Sequence, residues 1–308
     1  MITTPQQLKV LYEEGKNISE YMRDKRGIKR NTEDIIEVAY DLQTGSYMAA
    51  MEDAATARHK NKYTGELART ILSLCSPTSI LEAGVGEATT LAGVLGHLKT
   101  EVRSFGFDLS WSRVAYAKLW LKKKGLSHTT LCTGNLFQIP FADSSIDVVY
   151  TSHSIEPNGG NEEPILRELF RITKKFLILL EPGYELASQE ARQRMESHGY
   201  CKNLKSIAAD TLGYDVLEHR LFPFIANPLN PTTLTIIKKD DNAELPPHVL
   251  ACPKFKTPLK ELEGVLFSPE ALVVYPIVGG IPCLRIENGI FASKYQEVMG
   301  ILNRDQKI

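Results

Sequence analysis

Apolar residues recur at intervals of three and four along the first part of the chain, which is the spacing of a buried helix face. The repeat includes Leu8, Leu11 and Ile35, and Asn31-Thr32-Glu33-Asp34 supplies a helix N-cap within it. We therefore expect residues 1–63 to form a helical N-terminal extension.

Short apolar runs then alternate with helical patterns, beginning with a helix at 64–74 that Pro77 separates from the first run. The expected strands are 79–82, 102–108, 129–132, 146–152, 176–181, 216–224 and 232–239. Alternation of strand and helix predicts an α/β protein with a parallel, doubly wound sheet covered by helices on both faces. The last two strands follow one another through Ala226-Asn227-Pro228-Leu229-Asn230-Pro231, which indicates an antiparallel final hairpin in a seven-stranded sheet.

Two changes in composition divide the chain further. The segment 183–212 is polar and largely helical, and we interpret it as a lid inserted between the fifth and sixth strands. The run of acidic residues and prolines at 240–247 is typical of a linker. We therefore expect a central domain over 64–240 and a small, β-rich C-terminal domain over 245–308.

Composition restricts the class of protein. With 308 residues, 43% hydrophobic and 24% charged, the chain can form one large globular domain with attachments. The formal net charge of −1 favours neither nucleic acid nor an anionic membrane as a partner. There is no basic-then-apolar start, no apolar run of roughly 18 residues, and no C-x-x-C pair among five cysteines. These features predict a cytoplasmic protein with reduced thiols and no bound metal. A homodimer is compatible with them.

A glycine-rich turn connects the first strand to the next helix. Gly84 and Gly86 allow a ligand to approach the backbone, and the helix offers unpaired N–H groups. Glu82, just before the glycines, suits a cationic ammonium or a pair of hydroxyls better than a phosphate. The turn alone leaves a plain strand-to-helix connection equally open.

Two further polar residues follow at informative positions. Asp108 ends the second strand about twenty residues after the glycines, where a doubly wound fold places an acid against ribose hydroxyls. The alternative role for Asp108 is to cap the helix from Ser110 onward. Asn135 lies in Thr133-Gly134-Asn135-Leu136-Phe137-Gln138-Ile139-Pro140-Phe141-Ala142-Asp143, and its alternative role is that of a turn residue.

These three segments, in this order, resemble the class I S-adenosylmethionine (SAM) dependent methyltransferases, a Rossmann-like family, in the type 11-like group. The resemblance covers about residues 64–239 and implies SAM as the cofactor. The residues that it implies in cofactor binding are Glu82, Ala83, Gly84, Gly86, Asp108, Leu109, Asn135, Leu136 and His153. The chain departs from the pattern at Ala88, where a third glycine is usual, and at Asn135, where Asp is usual. The resemblance implies that this residue bonds the adenine amino group of SAM, and the Asn amide oxygen can still accept that N–H.

The loop after the fourth strand carries the candidate chemistry. His153 is a suitable general base for a hydroxyl acceptor, and Glu156 accompanies it, although His153 serves equally well in packing against SAM. The substrate candidates are Tyr47, Glu181, Tyr184 and His198. Segment 40–47, Arg58 and Tyr63 are candidates for closing over the cofactor's carboxylate, and ordinary helix packing is the alternative.

The C-terminal segment resembles small zinc-ribbon-like domains, among them activator subunits of methyltransferases that modify translation components. The resemblance rests on Cys252-Pro253-Lys254-Phe255 and Tyr275-Pro276-Ile277-Val278-Gly279-Gly280-Ile281-Pro282. Phe255 occupies the place of the second ligand, whereas a structural zinc site needs four nitrogen or sulfur ligands. We therefore expect a degenerate, metal-free β-module.

Together these patterns predict a SAM-dependent methyltransferase that acts on a small molecule, at a hydroxyl of a sugar or secondary metabolite. Two alternatives remain open: methylation of RNA or a translation factor, and a non-catalytic SAM-binding regulatory subunit. No N-P-P-Tyr sequence follows the fourth strand and no basic patch is interleaved with aromatics, which disfavours a nucleic acid partner.

Overall fold

The computed structural model describes residues 3–98, 101–239, 246, 248–262 and 264–305. Its N-terminal part is helical, as expected. The helices are α1 (Pro5–Glu13), α2 (Ile18–Arg26), α3 (Glu33–Leu42), α4 (Ser46–Ala50) and α5 (Ala54–Leu74). α1 begins with a capping box, in which the Thr4 and Gln7 side chains each accept from the other's backbone N–H. A small core of Leu8, Ile18 and Ile35 joins the first three helices into one unit.

The central sheet has seven strands in the order β3-β2-β1-β4-β5-β7-β6. The strands are β1 (Ser79–Ala83), β2 (Arg103–Asp108), β3 (Thr130–Thr133), β4 (Ile146–Ser152), β5 (Thr173–Pro182), β6 (Asp215–Leu221) and β7 (Thr232–Lys238). The first five are parallel, and β7 pairs antiparallel with both β5 and β6. The expected α/β fold with a final antiparallel hairpin is confirmed.

Helices α6 (Thr89–Leu98), α7 (Trp111–Lys123) and α8 (Glu162–Ile172) connect the parallel strands. Successive strand residues point to opposite faces, so each strand contributes side chains to two cores. Ile80 packs with α5, α6 and α7 in one core, whereas Leu81 packs with α8 in the other. Both faces of the sheet are therefore buried.

The predicted insertion lies between β5 and β6. It contains a 3₁₀ turn at Tyr184–Leu186, α9 (Gln189–His198) and α10 (Leu204–Ser206), which continues into a π turn at Ile207–Thr211. The Arg23 guanidinium of α2 donates to the carbonyls of Ser197 and His198. The insertion therefore rests on the N-terminal helices.

The C-terminal module, which we define as the described residues 248–305, is β-rich. It contains β8 (Lys260–Leu262), β9 (Val265–Ser268), β10 (Val273–Val278), β11 (Ile281–Pro282), β12 (Ile290–Phe291) and the final helix α11 (Tyr295–Asp305). In the part of the chain that the structure describes, no three His, Cys, Asp or Glu side chains are grouped as a metal would require. The module's interior is apolar instead, with Cys252 and Tyr275 buried in the second core of the sheet.

The expected start of the central domain falls inside a helix. α5 runs without interruption from Ala54 to Leu74, across the predicted boundary at 63/64. Its first half is largely exposed, so the apolar periodicity that reveals a helix begins only at Tyr63, where burial begins. Among the described residues, no helix is both long and apolar enough to span a bilayer.

Candidate functional site

A cavity of about 330 Å³ lies at the carboxyl edge of the parallel strands. Loops after β1, β2, β3 and β4 form its floor, helices α3 and α4 form its roof, and Lys60 of α5 also lines it. Ligands bind at this edge in doubly wound sheets, and the volume lies in the range of about 300–1,000 Å³ that is typical of small-molecule sites. Its walls combine six carboxylates with two cations: Glu33, Glu37, Glu82, Glu87, Asp108, Glu156, Lys60 and Arg113.

The glycine turn after β1 needs both of its glycines. Gly84 and Gly86 have φ angles of 71° and 51°, in the left-handed region. A Cβ atom on Gly84 would lie 2.2 Å from the Ser154 side chain, and one on Gly86 would lie 2.6 Å from the Arg113 guanidinium. The turn therefore brings bare backbone to the cavity. Ala88, the expected departure from a third glycine, also has a positive φ, of 57°.

Asp108 lies at the end of β2 and braces this turn. Its carboxylate accepts from the backbone N–H of Gly86 at 2.9 Å and of Ser110 at 3.0 Å. The N-cap of α7 is Ser110, whose hydroxyl accepts from the Arg113 N–H. Asp108 is thus not the cap itself, and it remains on the cavity wall, where its carboxylate is available to hydroxyl donors.

Asn135 and Leu136 follow β3 on the same wall. The Asn135 side-chain oxygen accepts from the Phe137 N–H at 2.9 Å, so the residue does shape a turn. The amide oxygen has a second lone pair, and the Asn135 side-chain nitrogen makes no hydrogen bond within the described part of the protein. Both roles considered for Asn135 are compatible with this geometry.

A buried carboxylate and a half-buried ammonium meet the cavity near the end of β1. Glu82 is 2% exposed and accepts from the Tyr150 hydroxyl. Lys60 of α5 donates to the Thr90 hydroxyl at 2.7 Å. Burial raises the pKa of Glu82 and lowers the pKa of Lys60, while the charge of each opposes the shift of the other. The pair is suited to a ligand group that carries both an ammonium and a carboxylate.

Arg113 is the second cation, and it is 8% exposed. Its guanidinium stacks against the Tyr40 and Tyr47 rings, with 5.3 and 4.8 Å between its carbon and their centroids. Among the described residues, no acceptor bonds the buried Arg113 Nε. A buried guanidinium normally finds hydrogen-bond acceptors, so this one is prepared to donate to a ligand in the cavity.

The roof of the cavity, which we call the cap, consists of α3 and α4, residues 33–50. Glu87, next to the glycine turn, accepts from the backbone N–H groups of Gly45 at 2.9 Å and Met48 at 2.6 Å. Asp41 accepts from the Ser110 hydroxyl at 2.6 Å. The residues that hold the cap therefore come from the same two loops that face the cavity.

His153 and Glu156 form a hydrogen-bonded pair after β4. His153 Nδ1 bonds the Glu156 carboxylate and Nε2 bonds the Thr232 hydroxyl at 2.8 Å. Burial by itself would lower the pKa of His153, but the charge and hydrogen bond of Glu156 outweigh burial, and the pKa is raised. His153 also has a φ of 58°, a strained conformation that clusters at functional sites.

Glu181 organises the same loop from below. Its carboxylate is 1% exposed and accepts from the backbone N–H groups of Ser154, Ile155 and Glu156 at 3.0 to 3.1 Å. Burial raises the pKa of Glu181 to about 7. This residue supports the His153 loop and does not itself line the cavity.

The structure brings most of the predicted site residues together. Those that line the cavity are Tyr47, Glu82, Gly84, Gly86, Asp108, Leu109, Asn135, Leu136, His153 and Glu156. Ala83 is fully buried beneath it, and Glu181, Tyr184 and His198 lie outside its lining. The Tyr184 hydroxyl donates to Glu196, and His198 Nδ1 bonds the Ser197 hydroxyl. Arg58 is exposed, and the Tyr63 hydroxyl is within hydrogen-bonding distance of the Ser152 hydroxyl.

Sequence reasoning did not select Lys60, Glu87, Arg113 or Asn230, all of which line the cavity. Lys60 is two residues from the candidate Arg58, and helical spacing places the two side chains on different faces. Glu87 lies within the recognised turn between Gly86 and Ala88, and a charged residue in a turn is usually exposed, so the sequence gives no sign of its buried role. Asn230 donates to Glu156 at 3.1 Å, but it belongs to the loop before β7, which is remote in sequence.

Comparisons with known proteins agree with this geometry. Residues 80–175 match the family described as "Methyltransferase domain". The demethylmenaquinone methyltransferase of Anoxybacillus flavithermus is 25% identical over 122 residues, which are 40% of this chain and 44% of that protein. That of Halalkalibacterium halodurans is 27% identical over 138 residues, 45% of this chain and 48% of that protein. The chain thus spans less than half the length of these curated relatives.

Among solved structures, the fold is similar to that of magnesium protoporphyrin IX methyltransferase from Synechocystis PCC 6803 with bound SAH. The TM-score is 0.52 at 11% identity, and the similarity covers 68% of this chain and 100% of that one. A likeness at this identity concerns the fold alone. Residues 80–175 therefore match a methyltransferase domain, the fold is that of a methyltransferase of known structure, and both findings support S-adenosylmethionine as the cofactor.

Proposed function

We propose that this protein is an enzyme that transfers a methyl group from SAM to a small molecule, at a hydroxyl of a sugar or secondary metabolite. The observation that carries the proposal is the cavity at the carboxyl edge of the sheet, where bare glycine backbone, Asp108 and the His153–Glu156 pair meet under a cap. A donor site and a candidate base thus share one enclosed space.

The cavity's residues fit SAM along its whole length. Glu82 and Lys60 offer a carboxylate for an amino acid ammonium and an ammonium for its carboxylate. Asp108 accepts from ribose hydroxyls, and Arg113 donates to oxygen acceptors beside it. Asn135 and Leu136 provide a polar and an apolar contact for a purine ring.

When bound, SAM supplies an electrophilic methyl group on a sulfonium. The chain's own residues then have two tasks, to align a hydroxyl with that methyl and to receive its proton. His153 Nε2 is the proton acceptor, and Glu156 holds Nδ1 and stabilises the charged ring. Because Nε2 also bonds the Thr232 hydroxyl, the acceptor's hydroxyl must displace or bridge through Thr232. Asn230 Oδ1, buried without a hydrogen-bond partner among the described residues, is placed to orient the acceptor.

A small acceptor is favoured by the enclosure and by the relatives. The cap covers part of the cavity, and a partly covered cavity of this size favours a small acceptor over a folded macromolecule. The two curated relatives are named for demethylmenaquinone, which is a small molecule. The net charge of −1 gives RNA no general attraction.

The test is a methyl transfer assay with the full-length protein and SAM labelled in its methyl group. The protein is incubated with cell extract fractionated into small molecules, RNA and protein, and the label in each fraction is counted. We expect label in the small-molecule fraction and none with the Asp108→Ala variant. Binding of S-adenosylhomocysteine (SAH), the demethylated product, is measured beforehand by calorimetry.

The outcomes separate the competing functions. Label confined to RNA or protein would contradict the proposed acceptor and support the RNA or translation-factor alternative. SAH binding with no label in any fraction would support the non-catalytic regulatory subunit. Absence of SAH binding by the wild-type protein would overturn the cofactor assignment and the proposed function with it.

A further inference from the structure

The C-terminal module contacts the central domain along the outer strand of the sheet. The Leu284 N–H donates to the carbonyl of Thr133, the last residue of β3, at 3.2 Å, and Cys283 forms a parallel bridge with Thr133. On the flank, Trp111 Nε1 donates to the Val278 carbonyl at 3.2 Å. The module is therefore attached at the strand end that leads directly into the cavity wall at Gly134 and Asn135.

This attachment determines where Arg285 lies. Arg285 follows Leu284 immediately, so the strand-end contact delivers its side chain to the rim of the cavity. There its guanidinium bonds Glu37 through one nitrogen and Glu33 through the other at 3.0 Å. Both carboxylates belong to α3 of the cap, and both line the cavity. The contact joins residues about 250 positions apart in sequence.

The geometry of this contact differs from that of an ordinary surface ion pair. The Arg285 side chain is 12% exposed, and its two partners are 33% and 36% exposed. One planar guanidinium holds two carboxylates one helical turn apart. This contact fixes the distance of α3 from the module and the rotation of α3 about its own axis. Isolated exposed pairs contribute little, whereas a half-buried three-member network resists opening.

We propose that the C-terminal module is a positioning element of the active site, in which Arg285 clamps α3 over the cofactor cavity. The proposal rests on the proposed function, because it assigns the module a task at that same site. Arg285 acts through Glu33 and Glu37: it holds α3 so that Ile36 and Tyr40 complete the cavity wall. Without it, the cap keeps its contacts through Glu87 and Asp41 and the core that Ile35 shares with α1 and α2, but it loses its ion pairs to the module.

The test reverses the charge of the clamp in the full-length protein. Arg285→Glu places a fourth carboxylate beside those of Glu33, Glu37 and Glu287, so the cap opens and only the fraction of closed molecules binds ligand well. If that fraction falls to about a tenth, the SAH dissociation constant measured by calorimetry rises about tenfold. Limited proteolysis reports the opening independently, as faster cleavage within residues 27–53. The matched control is Lys294→Glu, which reverses an exposed charge of the same module away from the cavity.

A charge swap distinguishes a clamp from a general loss of folding. We expect Arg285→Glu combined with Glu37→Arg to recover part of the SAH affinity and protease resistance that Arg285→Glu loses. Arg285→Lys should retain less of both than this charge swap recovers. If Arg285→Glu does not fold, the Glu33→Gln, Glu37→Gln double variant removes the same contact from the cap side. Unchanged SAH affinity and unchanged proteolysis in a folded Arg285→Glu or double Gln variant would overturn the clamp. Wild-type SAH binding, in contrast, tests the proposed function alone.

Discussion

At the scale of single residues, Asp108 has two tasks that one carboxylate performs together. It braces the glycine turn through the Gly86 N–H and it faces the cavity. Asp108→Ala removes both, and we expect SAH binding to fall below detection in calorimetry. Asp215→Ala, an exposed position on β6, serves as the control with unchanged affinity. Affinity retained by Asp108→Ala would count against the ribose assignment.

The His153–Glu156 pair predicts a pH dependence with a definite sign. His153 accepts a proton only when neutral, so kcat/KM rises as the pH passes its raised pKa. Glu156→Gln removes the main charge that raises this pKa. The charge of Glu181 still raises the pKa to a smaller extent, whereas burial and Lys60 still lower it. The rising limb is therefore expected to move to lower pH in Glu156→Gln.

The measurement is the pH profile of kcat/KM for the wild type, Glu156→Gln and His153→Asn. If His153 is the base, His153→Asn loses the limb and about a hundredfold in kcat. His128→Asn, an exposed histidine, leaves the limb in place. An unmoved limb in Glu156→Gln would indicate that His153 only packs against the cofactor.

At the scale of elements, one carboxylate anchors a whole helix. The Glu87 oxygens accept from backbone N–H groups at the start of α4, which otherwise lacks a side-chain cap. Glu87→Gln leaves one acceptor oxygen, and we expect a loss of about 1–3 kcal/mol in the free energy of unfolding. Denaturant titration measures this, and proteolysis within residues 43–53 reports the release of α4. Glu52→Gln, exposed beside the same helix, should change neither.

The elements also differ in how well the sequence predicts them. β4 begins and ends at the predicted residues, because turn signals bound it and its apolar pattern is strong. The first half of α5 was assigned to the N-terminal extension, because it is exposed and its sequence carries little period. Burial, which decides where a helix belongs, is a tertiary property.

At the scale of the whole molecule, the module and the central domain share one hydrophobic core. Tyr275 and Leu284 of the module pack in the cluster that contains Leu81 and Val149 of the sheet. We therefore expect a single cooperative unfolding transition in which near-ultraviolet and far-ultraviolet signals coincide. Tyr275→Ala should lower the stability of the entire chain by about 3–5 kcal/mol. Phe291→Ala, at a position 73% exposed, should have an effect within about 0.5 kcal/mol.

Two separate unfolding transitions, of which only the first shifts in Tyr275→Ala, would contradict a shared core. The sequence predicts a metal-free module, because Phe255 stands where the zinc-ribbon-like domains that it resembles have their second ligand. A small β-domain needs a metal when it lacks a core of its own, whereas this one buries its apolar residues against the sheet.

The sequence by itself determined the α/β class, the strand alternation, the glycine turn and the acid after β2, because period, turn chemistry and short spacings are local properties. It also selected His153 and Glu156, three residues apart. Only the tertiary structure decided that Lys60, Arg113 and Asn230 face the same cavity, and that Arg285 meets Glu33 and Glu37 at its rim. These partners lie far apart along the chain, so their proximity follows from strand order and docking, which no local pattern encodes.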